Sequence, residues 1–267
     1  MTYHSIIVIG FGELRRLSVQ WQVDIAAVER RYCIDWVMQG MFSHPAFADS
    51  LVLHGSAALQ YAHCPDYPAA EDPEFLTTQP QDANAFAEAL HTAAKVSGVK
   101  LSLVGLTDGS AKIEYTGPLG RRSAAQPHIT LSFVRGESRR PPTREPFIHP
   151  FSDECSATVS ALTLEEFAAE RIVALGQAPR ARDVFDLWFV LTHARERMDL
   201  EQAQTLARQI AQGKNNSAPP STRFAPGHRE GLARSWDKAL RRIPRHPPFE
   251  QVEKELIDGI ESINRSG

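Results

Sequence analysis

The stretch LVLHGSAALQYAHCPDYPAAEDPEF, residues 51–75, holds the features that decide the fold. Its first part predicts a short apolar strand that ends at Gly55 and Ser56 and passes into a helix. Its last part places two acids, Asp72 and Glu74, on either side of a proline. Side chains two residues apart on a strand point to the same side, so these carboxylates could share a metal ion, although such a pair is also common in surface turns.

The bulk composition limits the kind of protein this is. With 267 residues, of which 42% are hydrophobic and 23% charged, the chain is typical of soluble globular proteins. The sequence has no run of about 18 apolar residues, so no spanning helix and no membrane partner are expected, and its beginning makes a poor secretory signal. Cys33, Cys64 and Cys155 lack the spacing of a disulfide framework or a zinc ribbon. These features together predict a cytoplasmic protein.

Basic residues are concentrated in two stretches, although the net charge of the chain is -3. The first stretch, residues 121–144, contains Arg121, Arg122, Arg135, Arg139, Arg140 and Arg144. The second stretch, residues 223–245, contains Arg223, Arg229, Arg234, Lys238, Arg241, Arg242 and Arg245. Local basic surfaces of this kind favour RNA as a partner. The alternative, that these residues only solvate loops and helix faces, stays open.

The first half of the chain combines helix and strand patterns. Residues 12–42 repeat apolar side chains at helical spacing and predict one or two helices. Residues 82–97 predict another helix, with Asp82 as its N-cap. The segments KLSLVGL, KIEYTG and HITLSFV, which begin at residues 100, 112 and 128, show strand-like alternation. A helical lead followed by mixed α and β structure is therefore expected.

From residue 162 the pattern is helical. Thr163 and Glu166 have the spacing of a capping box, and the helix that they begin carries Arg171 on its apolar stripe. The next helix is largely apolar and carries Asp183 and Asp186, three residues apart and hence on one face. A charged residue on an apolar stripe extends to solvent or points into a polar cleft. A buried structural ion pair between Arg171 and one of the two acids is the alternative interpretation.

Five segments follow one another in a fixed order between residue 20 and residue 192, namely VERRYCIDWVMQGMFSHP, LVLHGSAALQ, AEDPEF, TLEEFAAERI and ARDVFDLWFVL. They resemble segments of the AbiEii/AbiGii abortive-infection toxins, a family that includes the MenT toxins. Five matched segments in order are more specific than any one of them. The resemblance implies an α+β fold. This fold would have a polymerase-β-like nucleotidyltransferase core, a small mixed sheet with flanking helices, and a C-terminal helical region.

The resemblance and the patterns together predict two domains. Residues 1–150 would form the nucleotidyltransferase-like domain with its helical lead, and residues 151–267 would form a mainly helical domain. A polar linker is expected at residues 211–228, before two helices near residues 229–242 and 249–263.

In the first predicted domain the resemblance implies two kinds of binding residue. Gly55 and Ser56 would bind the triphosphate of a nucleotide, because a Gly-Ser turn that opens a helix offers backbone N–H groups and a hydroxyl to phosphates. Asp72 and Glu74 would hold Mg²⁺, which prefers carboxylate oxygens. All four residues would therefore act on the nucleoside triphosphate and its metal.

In the second predicted domain the resemblance implies a catalytic cation and acid. Arg171 takes the place of the family's lysine and would bind the phosphates. Asp183 takes the place of an active-site acid. Arg182 and Asp186 complete the RD-x-x-D pattern of the family as supporting residues.

Several residues depart from the family pattern. The second acid of the pair is usually Asp and is here Glu74, and Pro73 precedes it where an apolar residue is normal. Ala70 stands in place of a serine, and Arg171 in place of a lysine. A third acid, expected on the strand HITLSFV, is replaced by Ser132. These departures are expected to weaken metal binding.

The predicted function is a Mg²⁺-dependent nucleotidyltransferase. It would transfer a nucleoside monophosphate from a triphosphate to an RNA, with tRNA favoured, as the toxin of an abortive-infection or toxin-antitoxin system with an antitoxin partner. The alternative is a weakened or inactive family member that binds nucleotide or RNA, or serves as an interaction module. A transferase that acts on a small molecule such as an aminoglycoside is a third hypothesis, which the basic stretches disfavour because a small alcohol needs no long cationic surface.

Overall fold

The computed structural model describes residues 9–68, 72–120, 128–213, 224 and 227–264, with side chains as far as residue 260. Of the residues discussed above, those outside this part of the chain are Ala70, Arg121, Arg122 and Arg223. The chain divides into two compact units. The first comprises Met1–Ser138 and Pro142–Ala161, and the second comprises Arg139–Pro141 and Leu162–Gly267. The division into domains at residue 150 stays a prediction.

The first unit contains helices and all of the described strands. Its helices are α1 (Phe11–Trp21), α2 (Ile25–Ser43), α3 (Pro45–Ala48), α4 (Gly55–Ala58), which continues as a π-helical turn at Leu59–His63, and α5 (Ala83–Ser97). Its strands are β1 (Val52–His54), β2 (Glu74–Thr77), β3 (Lys100–Leu106), β4 (Ser110–Thr116), β5 (His128–Arg135), β6 (Thr143–Pro146) and β7 (Thr158–Ala161). The strand predicted before Gly55, the three strands predicted after α5 and the helices predicted for this region are confirmed, whereas β6 and β7 were not predicted.

The described strands form one mixed sheet in the order β3, β4, β5, β2, β1, β7, β6. The pairs β1/β7 and β2/β5 are parallel, and the other neighbours are antiparallel. Strand β2, which begins at Glu74, therefore lies in the interior of the sheet, between β1 and β5. The predicted α+β fold with a mixed sheet and flanking helices is confirmed.

The helices of the first unit begin and end at residues that favour these positions. The side chain of Asp24 accepts a hydrogen bond from the backbone N–H of Ala26 at 2.7 Å and caps α2. Asp82 caps α5 in the same way as predicted, with the N–H of Asn84 at 2.8 Å. Helix α5 ends at Gly98, whose φ of 71° is the left-handed conformation that glycine adopts readily.

Helices α2 and α5 pack against each other and against the sheet. The aromatic rings of this core are in contact: Phe47 and Phe86 lie 4.8 Å apart, and Phe86 lies 5.9 Å from Phe133 of β5. The two helices approach closely at Gly40, where an added Cβ would lie 2.4 Å from the carbonyl oxygen of Ala89. Only glycine therefore fits this position without a shift of one helix.

A buried polar network connects α2 to the segment that follows β6. The guanidinium of Arg31 donates to Asp35 at 2.5 Å and to the carbonyl of Ile148 at 2.9 Å. The hydroxyl of Tyr32 donates to Asp153 at 2.6 Å. His149 completes the network between Asp35 and Asp153. These charges are buried in pairs, as the low polarity of a protein interior requires.

The second unit is helical in its described part. Its elements are α6 (Leu164–Leu175), α7 (Ala181–His193), a short 3-10 turn (Arg195–Arg197), α8 (Leu200–Gly213), α9 (His228–Ala239) and α10 (Phe249–Asn264). Helix α6 packs against α7 and α8, while α7 packs against α9 and α10. Within the ranges given above, no helix combines the length and apolar character that crossing a membrane requires.

The start of α6 differs in part from the predicted capping box. The hydroxyl of Thr163 accepts a hydrogen bond from the N–H of Glu166 at 3.2 Å, as expected. The Glu166 carboxylate, however, accepts from the backbone N–H groups of Arg139 at 2.7 Å and Arg140 at 3.1 Å. Glu166 therefore binds a tripeptide from an earlier part of the chain, which belongs to the same unit.

Candidate active site

The register of three neighbouring strands positions the candidate site in the first unit. His54 of β1 lies opposite Glu74 of β2, and Glu74 lies opposite Ser132 of β5. Gly55 follows His54 with a φ of 59°, a left-handed conformation that glycine adopts without strain. This conformation turns the chain directly from β1 into the helical segment 55–63. The Gly55-Ser56 turn and Glu74 are thus brought to one end of adjacent strands, as the sequence predicts.

Asp72 lies just outside β2. The expectation that the two acids share one strand is therefore wrong. The strand begins at Glu74, and the buried Pro73 separates the acids. The carbonyl of Pro73 accepts a hydrogen bond from the N–H of Ser132 at 3.0 Å. Proline is tolerated here because its missing N–H falls at the start of the strand, before the ladder with β1 begins.

Each of the two acids has a basic partner. The carboxylate of Asp72 forms an ion pair with Arg30 of α2, whose Nη2 also donates to the carbonyl of His128 at 3.4 Å. Glu74 forms a hydrogen bond with Nδ1 of His54. The side chains of Asp72 and Glu74 remain 33% and 41% exposed, so both stay accessible from solvent.

The acid pair fits a magnesium ion by the chemistry of its donors. Mg²⁺ is commonly bound through one or two carboxylates, with water and substrate phosphates as its other ligands. Asp72 and Glu74 supply two accessible carboxylates. Among the described residues there is no cluster of three or more His, Cys, Asp or Glu side chains that could hold a metal. Binding at Asp72 and Glu74 would therefore depend on ligands that the substrate brings.

Two buried tyrosines lie near the pair of Arg30 and Asp72. Burial raises the pKa of Tyr61 and of Tyr115 well above the ordinary value. The charge of Arg30 opposes this rise for both hydroxyls, and the charge of Asp72 adds to it. Both tyrosines are therefore neutral at physiological pH, and the Arg30–Asp72 pair is bordered by uncharged phenol rings.

The remaining predicted site residues lie together in the second unit. The Arg171 guanidinium has Nη1 at 3.5 Å from Asp183 and Nε at 3.7 Å from Asp186. Arg182 lies 3.3 Å from Asp186, and Arg180 binds Asp183 through Nε at 3.0 Å and Nη2 at 2.9 Å. Arg171 is buried, and its Nε makes no hydrogen bond to any described residue. These contacts match the structural ion pair that was the alternative interpretation of Arg171.

Asp183 is ionised in this cluster. Its burial would raise the pKa of the carboxyl group, but hydrogen bonds from Arg180 and the charge of Arg171 outweigh burial and lower the pKa. Asp183 is therefore a hydrogen-bond acceptor and an anion at neutral pH, and it carries no proton that it could give to a reacting group.

The predicted site residues thus form two groups, one in each unit. Gly55, Ser56, Asp72 and Glu74 belong to the first unit, whereas Arg171, Arg182, Asp183 and Asp186 belong to the second. Within each unit the structure brings the residues of that group together. The roles assigned to them stay predictions.

Two residues of the first unit were missed by the sequence analysis as partners of the acids. His54 is paired with Glu74. Arg30 was read only as part of a helical segment, yet it is paired with Asp72. A signal for His54 exists in the sequence, since it directly precedes the Gly55-Ser56 turn.

The two basic stretches differ in how far their charges are already neutralised. In the first, Arg144 is paired with Asp49, and Arg135 donates to the carbonyl of Thr78 at 2.6 Å. In the second, Arg229 is paired with Glu253 at 2.7 Å. The described residues of this second stretch that are exposed and have no ion-pair partner within the described chain are Arg234, Lys238, Arg241, Arg242 and Arg245. Among the described residues, the second stretch therefore has more exposed cations without an ion-pair partner than the first.

Known proteins resemble this chain both in sequence pattern and in fold. The family model of the nucleotidyl transferase AbiEii toxins of type IV toxin-antitoxin systems matches residues 36–255. Among solved structures, MenT4, a nucleotidyltransferase toxin from Mycobacterium tuberculosis H37Rv, has a TM-score of 0.63 and 14% sequence identity, over 92% of this chain and 87% of that chain. The search of curated proteins found no match. The structural likeness shows the fold, and because the family match spans most of the chain, this protein belongs to the AbiEii family of nucleotidyltransferase toxins.

Proposed function

We propose that this protein transfers a nucleoside monophosphate from a nucleoside triphosphate to an RNA in a Mg²⁺-dependent reaction, with tRNA as the favoured acceptor. The observation that carries the proposal is the strand register that brings the Gly55-Ser56 turn beside Glu74. A turn that binds phosphates next to carboxylates that bind a metal suits phosphoryl transfer, in which positioning and charge stabilisation supply most of the catalysis.

The residues of the first unit would bind the nucleotide. The backbone at Gly55 and the hydroxyl of Ser56 would donate to the phosphate oxygens, and Asp72 and Glu74 would hold Mg²⁺. When bound, the metal would supply positive charge for the attacking and leaving oxygens. The acceptor hydroxyl oxygen forms a bond to the α-phosphorus, the bond from that phosphorus to the pyrophosphate breaks, and the hydroxyl proton passes to solvent.

The resemblance to the family implies further roles for residues of the second unit. Arg171 would bind the phosphates, and its Nε, which makes no hydrogen bond to a described residue, supports this role. Asp183, an anion that can accept a hydrogen bond, would orient the acceptor hydroxyl. Asp186 would hold Arg171 in place, and Arg182 would hold Asp186, through the contacts described above.

The partners follow from charge and from the family. The exposed cations of α9 and the turn after it support binding of an RNA backbone. Membership of a toxin family of type IV toxin-antitoxin systems supports an antitoxin partner. A reaction that uses intracellular triphosphates and tRNA supports a cytoplasmic location.

A transfer assay tests the proposed reaction. Purified protein is incubated with each labelled nucleoside triphosphate, Mg²⁺ and total tRNA, and label in the RNA is measured after electrophoresis. We expect label transfer by the wild type and its loss in Asp72→Ala. The matched control is Asp66→Ala, since Asp66 is an exposed acid on the same connection between β1 and β2. Absence of transfer with every triphosphate would falsify the catalytic proposal.

A second candidate function is nucleotide or RNA binding without turnover. It is favoured by one observation, the serine at position 132 opposite Glu74, where the family has an acid. Calorimetric titration with Mg²⁺ and each triphosphate distinguishes the two functions. Heat of binding together with no product in the transfer assay would support the binding module, whereas product would exclude it.

A further inference from the structure

Arg30 is fixed on a rigid part of α2 and directed at Asp72. Its sequence neighbours are both anchored: Glu29 accepts a hydrogen bond from the N–H of Leu119 at 2.6 Å, and Arg31 is buried with Asp35. The guanidinium of Arg30 contacts Asp72 and the carbonyl of His128. The position of the Arg30 guanidinium beside Asp72 is therefore determined by the packing of α2.

The Arg30–Asp72 pair contributes little to the stability of the fold. The side chains of Arg30 and Asp72 are 28% and 33% exposed, and ion pairs of such exposure add little to the free energy of unfolding. The buried network of Arg31 and His149, by contrast, joins α2 to the rest of the first unit. A role of Arg30 in function accounts for its contact with Asp72 better than a role in folding.

We propose that the guanidinium of Arg30 competes with a divalent cation for the carboxylate of Asp72. In the protein without nucleotide, its guanidinium neutralises the carboxylate and lowers the affinity for a metal ion. When the metal arrives together with a nucleoside triphosphate, the phosphates offer Arg30 an alternative anion, and Asp72 becomes available to the metal. Metal and nucleotide therefore bind with positive coupling. This inference rests on the proposed function, because it assumes that Asp72 is a metal ligand.

The electrostatic argument gives the direction and the size of the effect. Two unit charges about 4 Å apart interact strongly at the effective dielectric constant near a protein surface, and partial exposure reduces this interaction. Because the Coulomb energy is proportional to the product of the charges, Arg30 repels a divalent ion at Asp72 twice as strongly as a monovalent ion. Removal of the positive charge at position 30 is therefore expected to tighten metal binding about tenfold or more.

Metal binding is measured directly, without a catalytic readout. Mn²⁺ is titrated into the full-length protein in the absence of nucleotide, and free Mn²⁺ is followed by electron paramagnetic resonance. We expect Arg30→Gln to bind Mn²⁺ about tenfold more tightly than the wild type, and Arg30→Lys to resemble the wild type. Addition of Asp72→Asn to Arg30→Gln should remove the gain. The matched control is Arg16→Gln, an exposed arginine of α1 with 61% side-chain exposure.

The coupling is tested in the same titration. With a non-hydrolysable triphosphate analogue present, the wild type should gain Mn²⁺ affinity by a larger factor than Arg30→Gln does. Equal Mn²⁺ affinity of the wild type and Arg30→Gln overturns the inference, and if the wild type still transfers label to RNA, the proposed function stands. Absence of Mn²⁺ binding to every variant, with and without the analogue, overturns the inference and the metal dependence together. Circular dichroism of each variant excludes loss of folding as the cause.

Discussion

His149 is buried between two carboxylates, and this placement determines its charge. Its Nδ1 lies 2.9 Å from Asp35, and its Nε2 lies 2.9 Å from Asp153. Burial lowers the pKa of the imidazole, but the hydrogen bonds to Asp153 and Asp35 outweigh burial and raise the pKa to about 9. His149 is therefore protonated at neutral pH, and its positive charge compensates the two acids.

This charge makes the stability of the first unit depend on pH. Because the pKa of His149 rises on folding from 6.5 to about 9, its contribution is fully present below pH 6.5 and is lost as the pH rises through 9. The contribution is about 3 kcal/mol, as an order of magnitude. Urea unfolding of the wild type and of His149→Gln between pH 6 and pH 10 should show a stability gap that narrows progressively between pH 6.5 and pH 9. The control His91→Gln removes an exposed histidine of α5 and should show no such trend.

At the same scale, the sequence predicts where the acid pair lies but not what it contacts. Asp72 and Glu74 could be located from the matched segments and from their spacing. Their partners Arg30 and His54 lie 42 and 20 residues away along the chain. Such contacts depend on the register of β1 with β2 and on the position of α2, and neither can be read from local periodicity.

At the scale of the elements, the close approach of α2 and α5 depends on one glycine. A Cβ at Gly40 of α2 would lie 2.4 Å from the Ala89 carbonyl oxygen and 2.9 Å from the Cβ of Ala93, both in α5. Gly40→Ala should therefore destabilise the protein by about 1–3 kcal/mol, although alanine favours a helix more than glycine does.

The matched control for this change is Gly12→Ala in α1, where an added Cβ meets no atom within 4 Å. Its free energy of unfolding should stay near the wild-type value or rise slightly. Urea denaturation followed by circular dichroism measures both variants. An unchanged midpoint for Gly40→Ala would show that α2 and α5 can separate without cost.

The elements that the sequence predicts are those with long periodic patterns or clear caps. Helix α5 begins at its predicted Asp82 cap, and β3 to β5 follow the alternation of their side chains. Strands β6 and β7 have only four residues each, too few for a period to be seen. The sequence analysis did not predict α8 as a separate helix, although the helical spacing of its apolar residues is a signal for it. The buried residues of α8 are Ala203, Leu206, Ala207, Ile210 and Ala211.

At the scale of the whole molecule, the uneven distribution of charge predicts how RNA binding responds to salt. Each cation that contacts a phosphate contributes about 1 to the slope of log affinity against log salt concentration. Replacement of Lys238, Arg241 and Arg242 by glutamine should weaken tRNA binding and reduce this slope by up to about 3. Fluorescence anisotropy with labelled tRNA at several salt concentrations measures both quantities.

The control for this prediction is the double variant Arg15→Gln/Arg16→Gln, which removes two exposed cations of α1. It should leave the salt slope unchanged. A slope that is the same for the triple variant and the wild type would place the RNA contact elsewhere on the protein.

The second unit is assembled from two separate segments of the chain, with consequences for synthesis on the ribosome. Residues 139–141 leave the ribosome before β7, but the Glu166 carboxylate that binds their N–H groups is made later. The N–H groups of Arg139 and Arg140 therefore have no Glu166 carboxylate to bind while β6 and β7 are made. Capture of the tripeptide is expected only after α6 has emerged, so a pause of translation before residue 166 would delay this contact of the second unit.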